Sequence, residues 1–179
     1  MGAWGPGLYS DDVTEDVRGI YVDKLHRGKN GEQASKEMIA EFEWACSDED
    51  DAPVFWFAMA DMQWNYGRLQ EEVKKKALYY LDDMKNLQRW EHENPKMAEK
   101  RKQVLNELRK KLNTLQPSEK KVSQYRLYHC QWKVGDMYAY QLEGEYAKER
   151  GLNGKYLLFY KIAESIWWPG HVIPVVYIK

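Results

Sequence analysis

Apolar residues recur at Val13, Val17, Ile20, Tyr21 and Leu25, a spacing that gathers them on one side of a helix. Asp11 and Asp12 precede them, where the helix dipole favours acids, and Gly28 and Gly31 close the segment. A second helix is predicted from about Glu32 to Cys46, with Met38, Ile39, Phe42 and Cys46 on one face. The stretch 53–66 is apolar on nearly every side, which marks it as the most buried helix. Pro53 suits its first turn, and Gly67 is placed to end it in a left-handed cap.

Two longer stripes follow. Leu69, Val73, Ala77, Tyr80, Leu81, Met84 and Leu87 form the first, and Met97, Val104, Leu105, Leu108, Leu112 and Leu115 the second. Asn94-Pro95 between them offers a capping side chain and a helix-starting proline, so an antiparallel hairpin is predicted over 69–115. Residues 117–121, PSEKK, read as a linker. From Tyr125 the period falls from 3.6 to 2. YRLYHCQWKVGDMYAYQL predicts two strands around a Val134-Gly135-Asp136 turn, and KYLLFYKI and HVIPVVYIK predict two more. Pro174 cannot donate to a ladder and marks an edge or a bulge.

The expected fold class is α+β: about five N-terminal helices, then a small antiparallel sheet or partial barrel. A helical domain is expected over 1–116 and a β module over 122–179. The strand-like ending predicts a natural chain that continues past Lys179, although a terminal strand paired in the sheet would read identically.

Charge changes this picture. The formal net charge of −1 hides −9 over residues 1–67, +6 over 68–121 and +2 over 122–179. The simpler consequence is that the acidic part docks on the basic part within one chain. A mean hydropathy of −0.78 beside eight Trp and thirteen Tyr implies a charged surface over an aromatic interior. No basic stretch followed by an apolar run opens the chain, and PVFWFAMA at 53–60 is far short of a membrane span, so a cytoplasmic protein without membrane contact is expected. Cys46 and Cys130 have no metal or redox spacing and are expected to be reduced.

Candidate chemistry is sparse. No Walker loop, nucleophile elbow, dinucleotide glycine pattern or HExxH occurs, so no catalytic, cofactor or metal residue is assigned. His129 and Cys130, adjacent on a strand, point to opposite faces and make a poor metal pair. The acids at 48–51 read as a solvated loop capping the next helix. Asp61 interrupts the apolar helix and must find a partner. The basic hairpin residues are interleaved with acids, so nucleic-acid binding is a minor reading. The stretch AESIWWPGH at 163–171 is expected to be an aromatic loop, its rings either filling the core, which is the simpler reading, or anchoring a partner. Trp132, Trp167, Trp168 and His171 are the candidate partner-binding residues.

MGAWGPGLYSDDVTEDV resembles the start of a bacterial family of unknown function that begins Met-Gly-x-Trp-Gly and enters a helix after an acidic pair; Met1, Gly2, Trp4, Gly5, Asp11, Asp12 and Asp16 carry the likeness. Gly2, Gly5 and Gly7 allow tight turns, and Trp4, Leu8 and Tyr9 are expected to fold back as a plug, with Trp4 burial worth about 3 kcal/mol. The last third, through Lys133, Gly135, Asp136, Tyr138 and Ile173-Pro174, resembles a β-rich immunity-protein family of bacterial polymorphic toxin systems. That resemblance implies a stoichiometric binder with no catalysis, whose partner is a toxin. The first functional expectation is therefore a non-enzymatic bacterial protein-binding module. The alternatives are an enzyme or small-ligand receptor with a cleft between the helical and β regions, and a nucleic-acid binder using the hairpin. A homodimer built on the hairpin stripes stays open.

Overall fold

The computed structural model describes residues 4–179, apart from the Glu93 side chain; Met1 and Gly2 of the opening motif lie outside that range. The described chain is α+β, with eight helices, mostly N-terminal, and one three-stranded antiparallel sheet. It divides into two compact units, Met1–Gln124 and Tyr125–Lys179.

In the helical unit, α1 (Asp12–His26) starts where the Asp11 carboxylate accepts the Val13 N–H at 2.9 Å. Gly28 ends it in the left-handed region, letting the Lys29 N–H reach the Lys24 carbonyl. An Asn30–Gln33 capping box opens α2 (Gly31–Glu41). The helix expected to run on to Cys46 breaks at Phe42, and one further turn forms α3 (Glu43–Cys46). The break turns the Phe42 ring onto Phe55, 5.5 Å away, so burying that ring outweighs the lost helical bonds. Burial also pushes the Cys46 thiol up to about 11. At pH 8, Cys46 should therefore alkylate with iodoacetamide roughly 100-fold more slowly than a free cysteine. Quantitative mass spectrometry of labelled peptides checks this, and labelling at the free-cysteine rate would contradict it.

The central helix α4 (Asp51–Asn65) is buried without interruption from Ala52 to Gln63. Its start is fixed by Asp48, whose carboxylate accepts from the Asp50 and Asp51 N–H groups at 2.8 and 3.0 Å. These two bonds hold the Asp48 carboxyl below the usual carboxylate range. The helix starts two residues before Pro53. Gln63, fully buried, donates to Ser35 Oγ at 2.7 Å and accepts the Gln70 N–H at 3.0 Å, tying α2 and α4 to the following turn.

The predicted hairpin is corrected. Its first arm divides at Met84, which takes φ +58, into α5 (Glu71–Asp83) and α6 (Lys85–Glu93); the second arm is α7 (Pro95–Leu112). The division lets Asn86 meet Arg101 of α7, a contact that demands more than stripe-to-stripe packing. Val73, Ala77, Leu81, Leu105, Leu108 and Leu112 all enter the unit's own core, whereas Met84, Met97 and Leu115 of the same stripes stay exposed. Residues 117–121 are a strap rather than a free linker. The Lys120 N–H donates to the Tyr66 carbonyl at 3.0 Å, Arg68 donates to the Lys120 carbonyl, and Gln116 accepts the Leu69 N–H.

In the second unit, β1 (Met137–Gln141), β2 (Tyr156–Trp167) and β3 (His171–Ile178) lie in that order, each pair antiparallel, with a bulge between Lys161 and Ala163. A short helix, α8 (Glu145–Glu149), follows β1; five residues are too few for a periodic signal. The strand expected before the Val134-Gly135-Asp136 turn does not form. That segment instead crosses to β3, where Tyr128 makes a single parallel bridge with His171, and Trp132 is spent stacking on Tyr138 at 3.9 Å. The expected aromatic loop at 163–171 is mostly strand: β2 runs to Trp167, and only Trp168-Pro169-Gly170 turn. Gly170, at φ +129, lies where an added Cβ would sit 2.4 Å from the Arg126 carbonyl oxygen.

Candidate protein-binding surface

Strand alternation sorts the sheet into two faces. Phe159, Val176, Pro174 and Val172 share with Lys161, which is fully buried, a face that is covered over its middle; Ile166 and Ile178, at the two ends of the same face, stay 45% and 52% exposed. The Lys161 ammonium donates to the Trp132 carbonyl and to Glu164 Oε1, the latter at 2.6 Å. It thereby holds the 128–136 segment against this face and keeps the Glu164 carboxyl below its usual range. The residues on the other face have no such cover. Met137, Tyr160 and Tyr177 stand abreast across the three strands, and Val175, Ile173 and Trp167 continue the apolar surface along the sheet. Met137 is 63% exposed, Tyr177 60% and Trp167 68%. A hollow of about 250 Å³ lies among Met137, Leu158, Tyr160, Tyr177 and Lys179.

The four candidate binding residues do not form one surface. Trp167 and His171 are register partners on the open face, where the His171 ring stacks on Tyr128 at 5.6 Å. Trp132 lies beneath Tyr138 on the covered face, and Trp168 packs in the turn 5.9 Å from Tyr125. Sequence reasoning missed Met137, Tyr160 and Tyr177. Their signal was large apolar residues on both faces of β2 and β3, with Lys161, Glu164 and Ser165 the polar interruptions of β2.

Asp61 is buried in the helical unit, at 6% exposure. Its Oδ2 accepts from the Tyr9 hydroxyl at 2.7 Å and from the Asn65 amide at 2.8 Å, and Lys111 Nζ lies 2.6 Å from its Oδ1. Lys111 also reaches Asn65 Oδ1 and sits 4.8 Å from the Trp64 ring centre. Burial and then the Asp61 charge push the Tyr9 hydroxyl well above its ordinary value, so it stays a donor. Every oxygen of Asp61 is engaged within the unit. With Asp50–Arg89, this pair joins the acidic front of the chain to its basic middle. The plug expectation is corrected: Leu8 and Tyr9 pack on the core, but Trp4 is 59% exposed, because a bond from its N–H to the Ser10 carbonyl turns the loop outward over a cleft.

Among the described residues, no group of three or more His, Cys, Asp and Glu side chains could hold a metal, and no helix is long and apolar enough to cross a membrane. Arg101 is buried, Lys111 pairs with Asp61, and Arg109 pairs with Asp82, so the basic middle segment divides its charges among several roles. The fold and this surface define an α+β protein that pairs a helical core with a half-covered sheet. Compared with known proteins, the chain matches no family model, and no curated protein or solved structure is similar to it.

Proposed function

We propose that the chain is a protein-binding module that acts without catalysis, and that the open sheet face of the β unit is its docking surface. One observation carries this reading: the row Met137, Tyr160 and Tyr177, extended by Val175, Ile173 and Trp167, is apolar, contiguous and uncovered. Monomeric proteins seldom leave so extended an apolar patch in water, and Trp and Tyr are the side chains that dominate binding energy at interfaces. The engagement of Asp61 by Tyr9, Asn65 and Lys111 supports a structural role for the chain's one buried acid in the apolar helix. The likeness of the last third to immunity proteins supports a bacterial toxin as the partner.

The test replaces Tyr177 with a photoreactive benzoylphenylalanine in the full chain, in cells. Illumination should yield one discrete protein adduct, and adding Ile173→Lys on the same face should abolish it. The same label at Tyr79, an exposed position on α5, should give none. Absence of an adduct from position 177, or adducts indifferent to Ile173→Lys, would overturn the reading. If the adduct is a toxin, co-production should rescue growth from that toxin, and Ile173→Lys should remove the rescue.

A further inference from the structure

The sheet has two edges, β1 on one side and β3 on the other. A row of unpaired backbone groups is a template for another strand, and proteins blunt such edges with proline, charge or a covering segment. The β3 edge carries two of these devices. Its Val172 N–H is taken by the Tyr128 carbonyl at 3.0 Å, and Pro174, the next residue pointing the same way, has no N–H to offer.

The β1 edge carries neither. The Lys161 N–H donates to the Asp136 carbonyl and the Leu142 N–H donates to the Lys155 carbonyl, so the even-numbered residues of this stretch turn their backbone groups toward β2. By alternation, the N–H and C=O groups of Met137, Ala139 and Gln141 point away from the sheet, and no described residue pairs with them. The strand MYAYQ has five residues, an ordinary strand length, with no charge and no proline.

Its side chains indicate what fits there. The strand is nearly symmetrical about Ala139, flanked first by Tyr138 and Tyr140 and then by Met137 and Gln141. About a two-fold axis at Ala139, a second β1 runs antiparallel to the first. Met137 then exchanges both backbone bonds with Gln141 of the second copy, and the two Ala139 residues do the same. Three such pairs give about six hydrogen bonds, two for each. Tyr138 falls opposite Tyr140 at the closely spaced positions, where cross-strand rings interact best. Tyr138 already stacks on Trp132 at 3.9 Å, so Tyr140, 62% exposed in one chain, is placed to extend that aromatic group. The strand ends agree in charge as well. The end that follows Lys133 meets the end that precedes Glu143 and Glu145, while Asp136 is engaged by the Lys133 N–H and the Tyr138 hydroxyl.

We propose that two copies of this chain pair β1 to β1, antiparallel about Ala139, into one continuous sheet of six strands, three from each copy. The two-fold axis stands normal to the sheet and keeps the same face of both copies on one side, so the two open faces become neighbours. The pairing rests on the edge alone and is independent of what docks on the face.

Sedimentation of the full chain tests this. A monomer–dimer equilibrium with a Kd of about 10 μM is expected, the strength of a contact one strand wide. Ala139→Pro removes the outward N–H at the axis and leaves the ladder to β2 intact, so it should weaken the dimer about tenfold or more. Ala139→Lys keeps that N–H but sets two ammonium groups against each other, with the same expected effect; it decides the matter if a circular-dichroism melt shows the proline variant to be unfolded. Ile173→Lys, on the open face, should leave the equilibrium unchanged. Benzoylphenylalanine in place of Gln141, illuminated in a mixture of isotopically labelled and unlabelled chains, should cross-link to Met137 of the other copy. The proposal is overturned if the chain stays monomeric up to about 300 μM, or if the folded Ala139 variants dimerise like the parent. It is also overturned if Ile173→Lys abolishes the dimer, or if the cross-link lies away from β1. A monomeric chain leaves the adduct expected from Tyr177 untouched, so the edge and the face fail separately.

Discussion

Lys111→Met is expected to destabilise the helical unit by about 3 kcal/mol, because it strips the counter-charge from a carboxylate that the fold keeps out of water. Asp61 would retain only the Tyr9 hydroxyl and the Asn65 amide, both on Oδ2, and Oδ1 would lose its sole donor. The penalty arises from the abandoned anion rather than from the missing methylene contacts, which methionine largely restores. The double variant Asp61→Asn/Lys111→Met should therefore recover most of the loss. Urea denaturation followed by far-ultraviolet circular dichroism measures both. A single-variant cost below about 1 kcal/mol would place the pair among solvent-screened ion pairs and would remove its structural role.

Gly67→Ala is expected to cost a similar amount, about 3 kcal/mol, for a different reason. Gly67 occupies φ +67 after α4, where its N–H reaches the Trp64 carbonyl and the next N–H reaches Gln63. An alanine there meets left-handed strain, and its Cβ would also sit 2.5 Å from the Pro117 carbonyl oxygen and 2.6 Å from that of Ser118. Those are backbone atoms of the strap, which cannot rotate aside as a side chain can. Two glycines calibrate the effect in the same assay. Gly28→Ala, at φ +86 with only the Gln124 side chain near, should cost about 1 kcal/mol. Gly19→Ala, in the exposed middle of α1 with nothing within 4 Å, should stabilise by about 0.5–1 kcal/mol. If Gly67→Ala matched Gly28→Ala, the strap would be a loosely held tail.

The contrast between Gly67 and the strap shows where reading by pattern stops. Gly67 as a helix terminator follows from its place after an apolar run, and the φ of +67 agrees. The need for glycine against Pro117 depends on residues fifty positions away and leaves no periodic trace. The same limit explains Met84. Its stripe continues unbroken into Leu87, yet the chain turns there so that Asn86 can receive Arg101. Trp4 fails for a related reason: ring size argues for burial, but the turn closed by Ser10 points the ring away from the core. On the sheet, Trp167 ends β2 and stays exposed while Trp168 enters the turn and is half-buried against Tyr125, a difference that two adjacent tryptophans do not spell out. Which face of β2 would be covered was not legible, since both faces are apolar.

The sequence alone determined the α+β class, the central buried helix and most helix ends, because spacing, caps and glycines act within a few residues of where they are written. Tertiary structure decided the Asp61–Lys111 pair, the strap, the division at Met84, the cleft around Arg101 and the open face of the sheet. Each of those depends on which distant groups meet, and a carboxylate, a guanidinium or an apolar strand has the same local spelling whether its partner is present or missing.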